Sequence, residues 1–419
     1  MPLILCVVFL VCLYVIFHIR YDSSGRTFLL KLMASFQKMP SFVLKDNPKL
    51  CKAILDSCEN KGRGVEMHLT CPAFLPLYNS ESVDGDRWRR LLSMFRKIVH
   101  SLDYSDRLPA IIQKHCQRLC EEYDNIDSVA IQKLTARVFF ELLFNKEINL
   151  SDENICVDAT NEWRKHVAQK GQSSLSLKEE MISRMLDHLK VSQYDTNNLQ
   201  QEYHADKYEM ASSFLQPFLI SPIINFPDIF CEISFLLENN PKYQTILKKC
   251  CLEDFNEKAK EETSISFPLA IVYESLRLKH PFPILERELT KDVVEGKVHL
   301  KKGTHVYIEL DSFIQCQTFQ PENWMNPDYY KENSWILFAT GPRMCAGRLI
   351  ALQILEGMLK ELVKNKKGDF KKLRMWENHK ISGRKNDNAV SFKEIIYQVK
   401  TFSRILGKLY FKRSEKKIN

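Results

Sequence analysis

The stretch Phe338-Ala339-Thr340-Gly341-Pro342-Arg343-Met344-Cys345-Ala346-Gly347 decides how the rest of the chain is read. One cysteine lies between a glycine four residues before it and another two after, with an arginine two residues ahead. An apolar helical run, residues 348–363, follows. Glycine accepts positive φ and close approach, so backbone N–H groups here can turn toward the sulfur. Those amides, the N-terminus of the following helix and Arg343 all favour the anionic form of Cys345. Phe338 is placed to cover the loop and keep water off the sulfur. A thiolate in such a setting suits a metal at a shielded position. Five residue types at this spacing arise by chance in roughly one in ten thousand chains of this length or fewer. The bland alternative is a buried cysteine in a strand-to-helix connection, since cysteine is often a core residue.

At these residues the chain resembles the cytochrome P450 superfamily, the haem-thiolate monooxygenases. Phe338, Gly341, Arg343, Cys345 and Gly347 fill the fixed positions of that family's haem-binding loop. The resemblance implies haem b (iron protoporphyrin IX) as cofactor, with Cys345 as the axial iron ligand and Arg343 pairing a propionate. It implies a mainly α fold, a single large helical domain with a small β region. The likeness is close over residues 241–363, patchy over 41–240 and weak in the last fifty.

Composition agrees with a large globular core. The chain has 419 residues, 45% hydrophobic and 27% charged, with no internal repeat or low-complexity segment. Length alone would admit two or three domains. The net charge of +8 is spread along the chain but concentrates near the end, at Lys400, Arg404, Lys408, Lys412, Arg413, Lys416 and Lys417. That tail either faces anionic lipid or an acidic redox partner, or is simply a solvated face. No nucleic-acid motif accompanies it, so nucleic acid is not expected as a partner. None of the eleven histidines forms an HExxH pair, which leaves a hydrolytic metal site without support. Cys116 and Cys120 lie one helical turn apart with no histidine or second cysteine pair beside them, and read as core.

Residues 2–19 are apolar, and at 1.5 Å per residue such a run just spans a hydrocarbon core. Arg20, Arg26 and Lys31 follow it, and positive charge on that side directs the remainder to the cytosol. The expectation is an uncleaved single-pass transmembrane anchor in the endoplasmic reticulum membrane. A linker would follow over residues 20–40, then the haem-thiolate domain over 41–412 and a basic tail over 413–419. A cleaved signal peptide is the alternative; it would want a basic start and a small-residue cleavage site. In a reducing compartment the thirteen cysteines, an odd number, should be mostly free thiols.

Ser41–Leu44 reads as a strand and residues 46–55 as a helix opened by Asp/Asn with proline in its first turn. In the family a helix and a β-hairpin precede this pair; here they look shortened or lost. Residues 86–100 are amphipathic at helical spacing and resemble the family helix that crosses the haem propionates. Trp88 fits that role, whereas the arginine expected four residues later is Leu92, so its part falls to Arg89 or Arg90 or is missing. An ordinary surface helix with a half-buried tryptophan is the alternative. Residues 102–210 read as successive helices, among them 107–123, Ser128–Phe144 and 177–191.

Residues 214–240 resemble the long helix over the distal haem face. There the family holds an acid and an alcohol that relay protons after an Ala-Gly step. Here Ser221-Pro222 replace Ala-Gly, Ile224 replaces the acid, and Asn225 stands at the alcohol's place as candidate catalytic residue. Prolines at 217, 222 and 227 each cost on the order of 3 kcal/mol in a helix interior, so a bent or broken helix is expected. Asn with nearby Pro resembles the branch holding the sterol 7α- and 12α-hydroxylases and prostacyclin synthase. A decayed helix without chemistry is the bland reading. Aromatic and aliphatic residues in 74–78 and 218–226 either line a pocket or fill the core.

Residues 267–280 form an amphipathic run ending before Pro281, with Glu274 and Arg277 one turn apart. They lie where the family keeps a buried structural Glu–Arg pair. The arginine that completes that network is Asn323 here, so the surroundings must compensate for Arg277. Arg287 falls where the family has a second propionate-binding arginine. Residues 293–306 read as a hairpin turning at Lys301-Lys302-Gly303.

Three functions follow as expectations. The first is a monooxygenase inserting one oxygen atom of O2 into a lipophilic substrate such as a sterol, fatty acid or xenobiotic. Its electrons would come from NADPH through cytochrome P450 reductase, with cytochrome b5 as a further partner. The second is an isomerase or dehydratase acting on a peroxide lipid, and the third a degenerate haem-binding protein without activity.

Overall fold

The computed structural model describes residues 40–61, 80, 83–102, 104–167, 174–252, 265–282, 284–314 and 317–373. The expected anchor, linker and basic tail, and residues 74–78, lie outside the described residues. In chain order the elements are β1 (Ser41–Leu44), α1 (Pro48–Ser57), α2 (Gly85–Ser101), α3 (Tyr104–Glu122), α4 (Ser128–Phe144) and α5 (Leu150–Val167). Next come α6 (Leu175–Lys190), α7 (Thr196–Glu202), the long helix α8 (Lys207–Glu238), α9 (Pro241–Leu252) and α10 (Phe267–Leu278). Strands β2 (Ile284–Glu288), β3 (Val293–Glu295), β4 (Val298–Leu300) and β5 (His305–Glu309) follow. Last are α11 (Pro327–Asn333), α12 (Trp335–Phe338) and α13 (Arg348–Asn365). The fold is mainly α with a small β region.

Helix starts follow from local chemistry. Asn47, Asp127 and Ser266 each accept a backbone N–H of the first turn, at Leu50, Ala130 and Leu269, and so fill donors the helix itself leaves open. Asp206 and Glu209 form a reciprocal capping box at the start of α8. The sheet has the order β1-β5-β2, with β1 parallel and β2 antiparallel to β5. The β3–β4 hairpin turns at Gly296-Lys297, where Gly296 takes φ +58°, and not at Lys301-Lys302-Gly303 as expected from the sequence. That second turn instead leads into β5, with the Gly303 amide bonded to the Leu289 carbonyl at 2.7 Å.

Two pairs of helices build the core: α4 lies along α8, and α3 along α13. Gly357 of α13 allows the second contact, since a Cβ there would stand 2.8 Å from Ile112 Cδ1. Phe218 and Phe226 of α8 flank Phe139 of α4, with ring centroids 6.3 and 5.9 Å away, so these aromatics are core residues.

Of the bent or broken helix expected from its prolines, the break is absent: the long helix is continuous. It runs from Lys207 to Glu238 with one π turn over Gln216–Ile220, closed by the Ser221 amide bonding the Gln216 carbonyl. Pro217 lies within that turn and Pro222 just after it; the turn's wider ring relieves the clash a proline makes with the carbonyl four residues back. Pro227 sits in regular helix and leaves the Ile223 carbonyl without its N–H partner. The buried Gln132 side chain of α4 donates to it at 3.5 Å. Among the described residues α8 is the one helix long and apolar enough to cross a membrane, but 61% of its most apolar window is buried inside the fold.

Candidate cofactor site

The cysteine loop hangs between α12 and α13. Ala339 and Gly341 take φ of +59° and +74°, which turns the chain away from α12. The Met344 amide then bonds the Gly341 carbonyl at 3.1 Å, and the Cys345 amide bonds the Phe338 carbonyl at 3.0 Å. With these two amides committed, neither can face an anionic sulfur. A short helix, and not a strand, leads into the loop. Gly341 packs directly on α1: a Cβ there would lie 2.2 Å from the Leu55 carbonyl oxygen. Thr340 Oγ1 donates to Asp56 at 2.8 Å on the same face. Phe338 is half-buried against the core, and Cys345 itself is exposed beside Met344 and Ala346.

Arg343 and Trp88 come together, as two residues directed at one group should. The guanidinium stacks on the indole with its carbon 4.1 Å from the ring centroid, and Trp88 is buried rather than a half-buried surface residue. Arg343 also donates to the carbonyls of Ser80 (3.0 Å), Val83 (2.9 Å) and Glu59, and to the Asp84 carboxylate. It therefore ties the loop to both ends of the 59–84 segment. Asp84, which sequence reasoning passed over, supplies the carboxylate in contact with it. Leu92 is buried in the core. Arg90 donates to the carbonyls of Tyr203 and His204 at 2.6 and 2.7 Å, and exposed Arg89 pairs with Glu59 and Asp86. Arg343 thus fills the space over Trp88. Arg287 is buried in β2, where its Nη1 donates to the Glu286 carbonyl at 2.8 Å. It lies near Cys51 of α1: burial pushes that thiol up to about 12, while the Arg287 charge pulls the other way.

Behind the loop, the Glu274–Arg277 pair is bidentate, with both contacts at 2.7 Å and Glu274 fully buried. The arginine absent at Asn323 is compensated one residue on. Trp324 Nε1 donates to the Glu274 carboxylate at 2.8 Å, and the Gln320 amide donates to its other oxygen at 2.9 Å. Arg277 gains the Thr318 carbonyl at 3.2 Å. Tyr273, Tyr329 and Tyr330 wall in the Trp324 ring at 5.3, 5.2 and 6.4 Å. His280, three residues after Arg277, reaches the Leu337 carbonyl with Nε2 at 2.9 Å, while its Nδ1 stands 2.8 Å from the Phe282 carbonyl oxygen and 3.0 Å from the Phe282 amide nitrogen. Burial lowers its pKa, so the ring is neutral near pH 7. With its proton on Nε2 the neutral ring donates to Leu337 and accepts from the Phe282 amide; with its proton on Nδ1 it donates to the Phe282 carbonyl instead.

On α8, Pro217, Ser221, Ile224, Asn225 and Asp228 form a half-buried stripe at helical spacing, with Asn225 among them. Gln216 donates to Ser221 Oγ at 3.0 Å beside the π turn. Asp228, one turn from Ile224, accepts both contacts of Arg164 of α5 at 2.8 and 2.9 Å. Sequence reasoning did not single out Arg164, Asp228, Gln132, Trp324 or His280. Only the last two had a signal, by standing inside motifs already marked for other residues.

The donor set fits a haem. Among the described residues no three His, Cys, Asp or Glu side chains converge as a metal site, while Cys345 presents an exposed sulfur on its loop. An iron that brings four ring nitrogens needs such a single axial thiolate. Where a Cβ of Gly347 would stand, no atom lies within 4 Å, so the loop is open beside the sulfur. The molecule is thus a mainly helical protein with an exposed cysteine on a loop before a core helix.

The Cytochrome P450 family description matches residues 236–378. The C-22 sterol desaturase ERG5 of Candida albicans is 31% identical over 175 residues, 37% of this chain and 30% of that protein. The mitochondrial 1,25-dihydroxyvitamin D(3) 24-hydroxylase of Mus musculus is 25% identical over 37% of this chain and 32% of its own length. The matches thus span about a third of these curated relatives. CYP175A1 from Thermus thermophilus shares the fold, with a TM-score of 0.54 at 16% identity, over 77% of this chain and 81% of its own. The chain belongs to the cytochrome P450 superfamily.

Proposed function

We propose that the protein is a haem-dependent monooxygenase, with Cys345 as axial ligand of haem b in a domain over residues 41–412. The observation that carries this reading is the Cys345 loop, anchored on α1, on the 59–84 segment and on the network behind Glu274. Bound there, the haem would supply activation of O2, one oxygen atom entering the substrate and the other leaving as water, with two electrons and two protons consumed. The chain's own part is to hold the sulfur and shape the pocket. The start of α13 favours the thiolate. Arg343, Trp88 and Arg287 would hold the propionates; at Arg343 a propionate would share the guanidinium with Asp84. Phe338 would shield the sulfur from water. Glu274, Arg277 and Trp324 brace the base of the loop. Asn225 would hold a proton or a water at the amide on the half-buried stripe of α8.

The substrate would be lipophilic: a sterol, a fatty acid or a xenobiotic. NADPH would act through cytochrome P450 reductase, with cytochrome b5 as a further partner. Residues 2–19 would anchor the protein in the endoplasmic reticulum membrane with the domain in the cytosol. Ile224 at the acid's place favours a second reading, an isomerase or dehydratase acting on a peroxide lipid. Incubation with reductase, NADPH and a panel of lipophiles, beside hydroperoxides without reductase, separates the two. Oxygenated product that depends on NADPH supports the monooxygenase. Hydroperoxide rearrangement without reductase supports the second reading, and stable haem without either product marks a degenerate haem protein.

A further inference from the structure

His280 links the helix behind the site to the turn that carries the cysteine. It stands two residues past the end of α10, directly before Pro281, and its ring reaches 57 residues along the chain to the Leu337 carbonyl at 2.9 Å. On the other side of the ring Nδ1 meets both backbone groups of Phe282, the carbonyl oxygen at 2.8 Å and the amide nitrogen at 3.0 Å. Leu337 lies in α12, which has four residues, so its carbonyls have no partners within the helix and need one from outside. The next residue, Phe338, gives its own carbonyl to the Cys345 amide at 3.0 Å. Between these two bonds the chain passes through the left-handed conformations of Ala339 and Gly341. A backbone in that region holds its shape only when its surroundings over-determine it. The two neighbouring carbonyls are therefore the two ends of one clamp: Leu337 held from behind by His280, and Phe338 holding Cys345 in front.

We propose that His280 is a positioning residue for Cys345: by fixing the Leu337 carbonyl it fixes the turn from which the Cys345 amide hangs, and so keeps the sulfur at its ligating position. This rests on the haem-thiolate reading above. Glu274 and Arg277 brace the outer side of the same network through residues 318–324, whereas His280 acts directly on the residue preceding Phe338. The N–H of the ring is the working part, and its bulk is secondary.

The test uses the full chain carrying haem, as wild type and as His280→Ala, His280→Phe and His280→Gln. The readout is the carbon monoxide spectrum of the reduced protein and the rate at which its red-shifted thiolate band decays to the unshifted band. Phenylalanine keeps the ring volume without the N–H, and glutamine returns an N–H at similar reach. The expected result is a decay about tenfold faster in the alanine and phenylalanine variants, as for loss of one hydrogen bond. Glutamine should restore most of the wild-type rate. If alanine fails to fold, phenylalanine against glutamine carries the comparison. A phenylalanine variant decaying at the wild-type rate overturns the proposal. A wild-type protein without the red-shifted band overturns the haem-thiolate reading instead.

Discussion

Glu274 has no access to solvent, so each oxygen of its carboxylate depends on the donors that Arg277, Trp324 and Gln320 bring to it. A buried ion pair is stable only when such additional bonds complete it. Trp324→Phe keeps the aromatic packing and removes the N–H, leaving one oxygen short of a donor. The expected loss is about 1–3 kcal/mol, measured by urea unfolding of the haem-loaded protein. A loss below about 0.5 kcal/mol would mean the indole bond contributes nothing net. Gly341→Ala meets both the +74° backbone and the Leu55 carbonyl, so we expect little soluble haem-loaded protein from it. A yield and haem content equal to wild type would contradict the docking of the loop on α1. The cysteine loop was legible in the sequence because each of its constraints falls on a residue type: φ on glycine, charge on arginine, ligation on cysteine. The repair at Trp324 was not, because a neutral donor one position on did the work expected of a cation.

At the scale of elements, α8 shows what proline content alone cannot say. Three prolines argued for a break, but the π turn absorbs two of them, and Gln132 of α4 supplies the donor that Pro227 removes. A side chain 91 residues away in sequence leaves no local signal. Gln132→Leu should destabilise the protein by about 1–2 kcal/mol. In the Pro227→Ala background the same change should cost clearly less, because the alanine restores the helical N–H to the Ile223 carbonyl. Thermal or urea unfolding of the four proteins closes the cycle; equal costs in both backgrounds would show that Gln132 does not serve that carbonyl. The start of α1 was legible because Asn47 and the proline after it mark a helix N-terminus. The hairpin was misplaced because two glycine turns, at Gly296 and Gly303, lie seven residues apart and either can reverse the chain.

Across the whole molecule, buried His115 and His305 and half-buried His280 set an acid limit. Burial lowers the pKa of His115, His280 and His305 below the ordinary value of 6.5, with Glu141 partly opposing this at His115. Above that value both folded and unfolded forms are neutral. Below it the unfolded chain binds protons that the folded protein resists, so stability falls as pH drops toward the depressed folded values. The slope is at most about 1.4 kcal/mol per pH unit for each histidine. Melting temperatures between about pH 5 and 7 should fall on acidification, and His305→Asn should flatten the fall; stability constant over that range would contradict it. The superfamily was legible at this scale from one loop and one Glu–Arg pair, because both carry spacing. Substrate class was not, since the residues that would line a pocket carry no fixed spacing. Haem binding, oxygen activation and the positioning role of His280 all depend on Cys345 being a thiolate ligand of haem iron. The deciding experiment is the carbon monoxide difference spectrum of the dithionite-reduced protein, recorded beside Cys345→Ser. The wild type should show the far red-shifted Soret band of a thiolate haem, and the variant should lose it. A folded wild-type protein without that band, or a variant that retains it, would show that Cys345 does not ligate the iron.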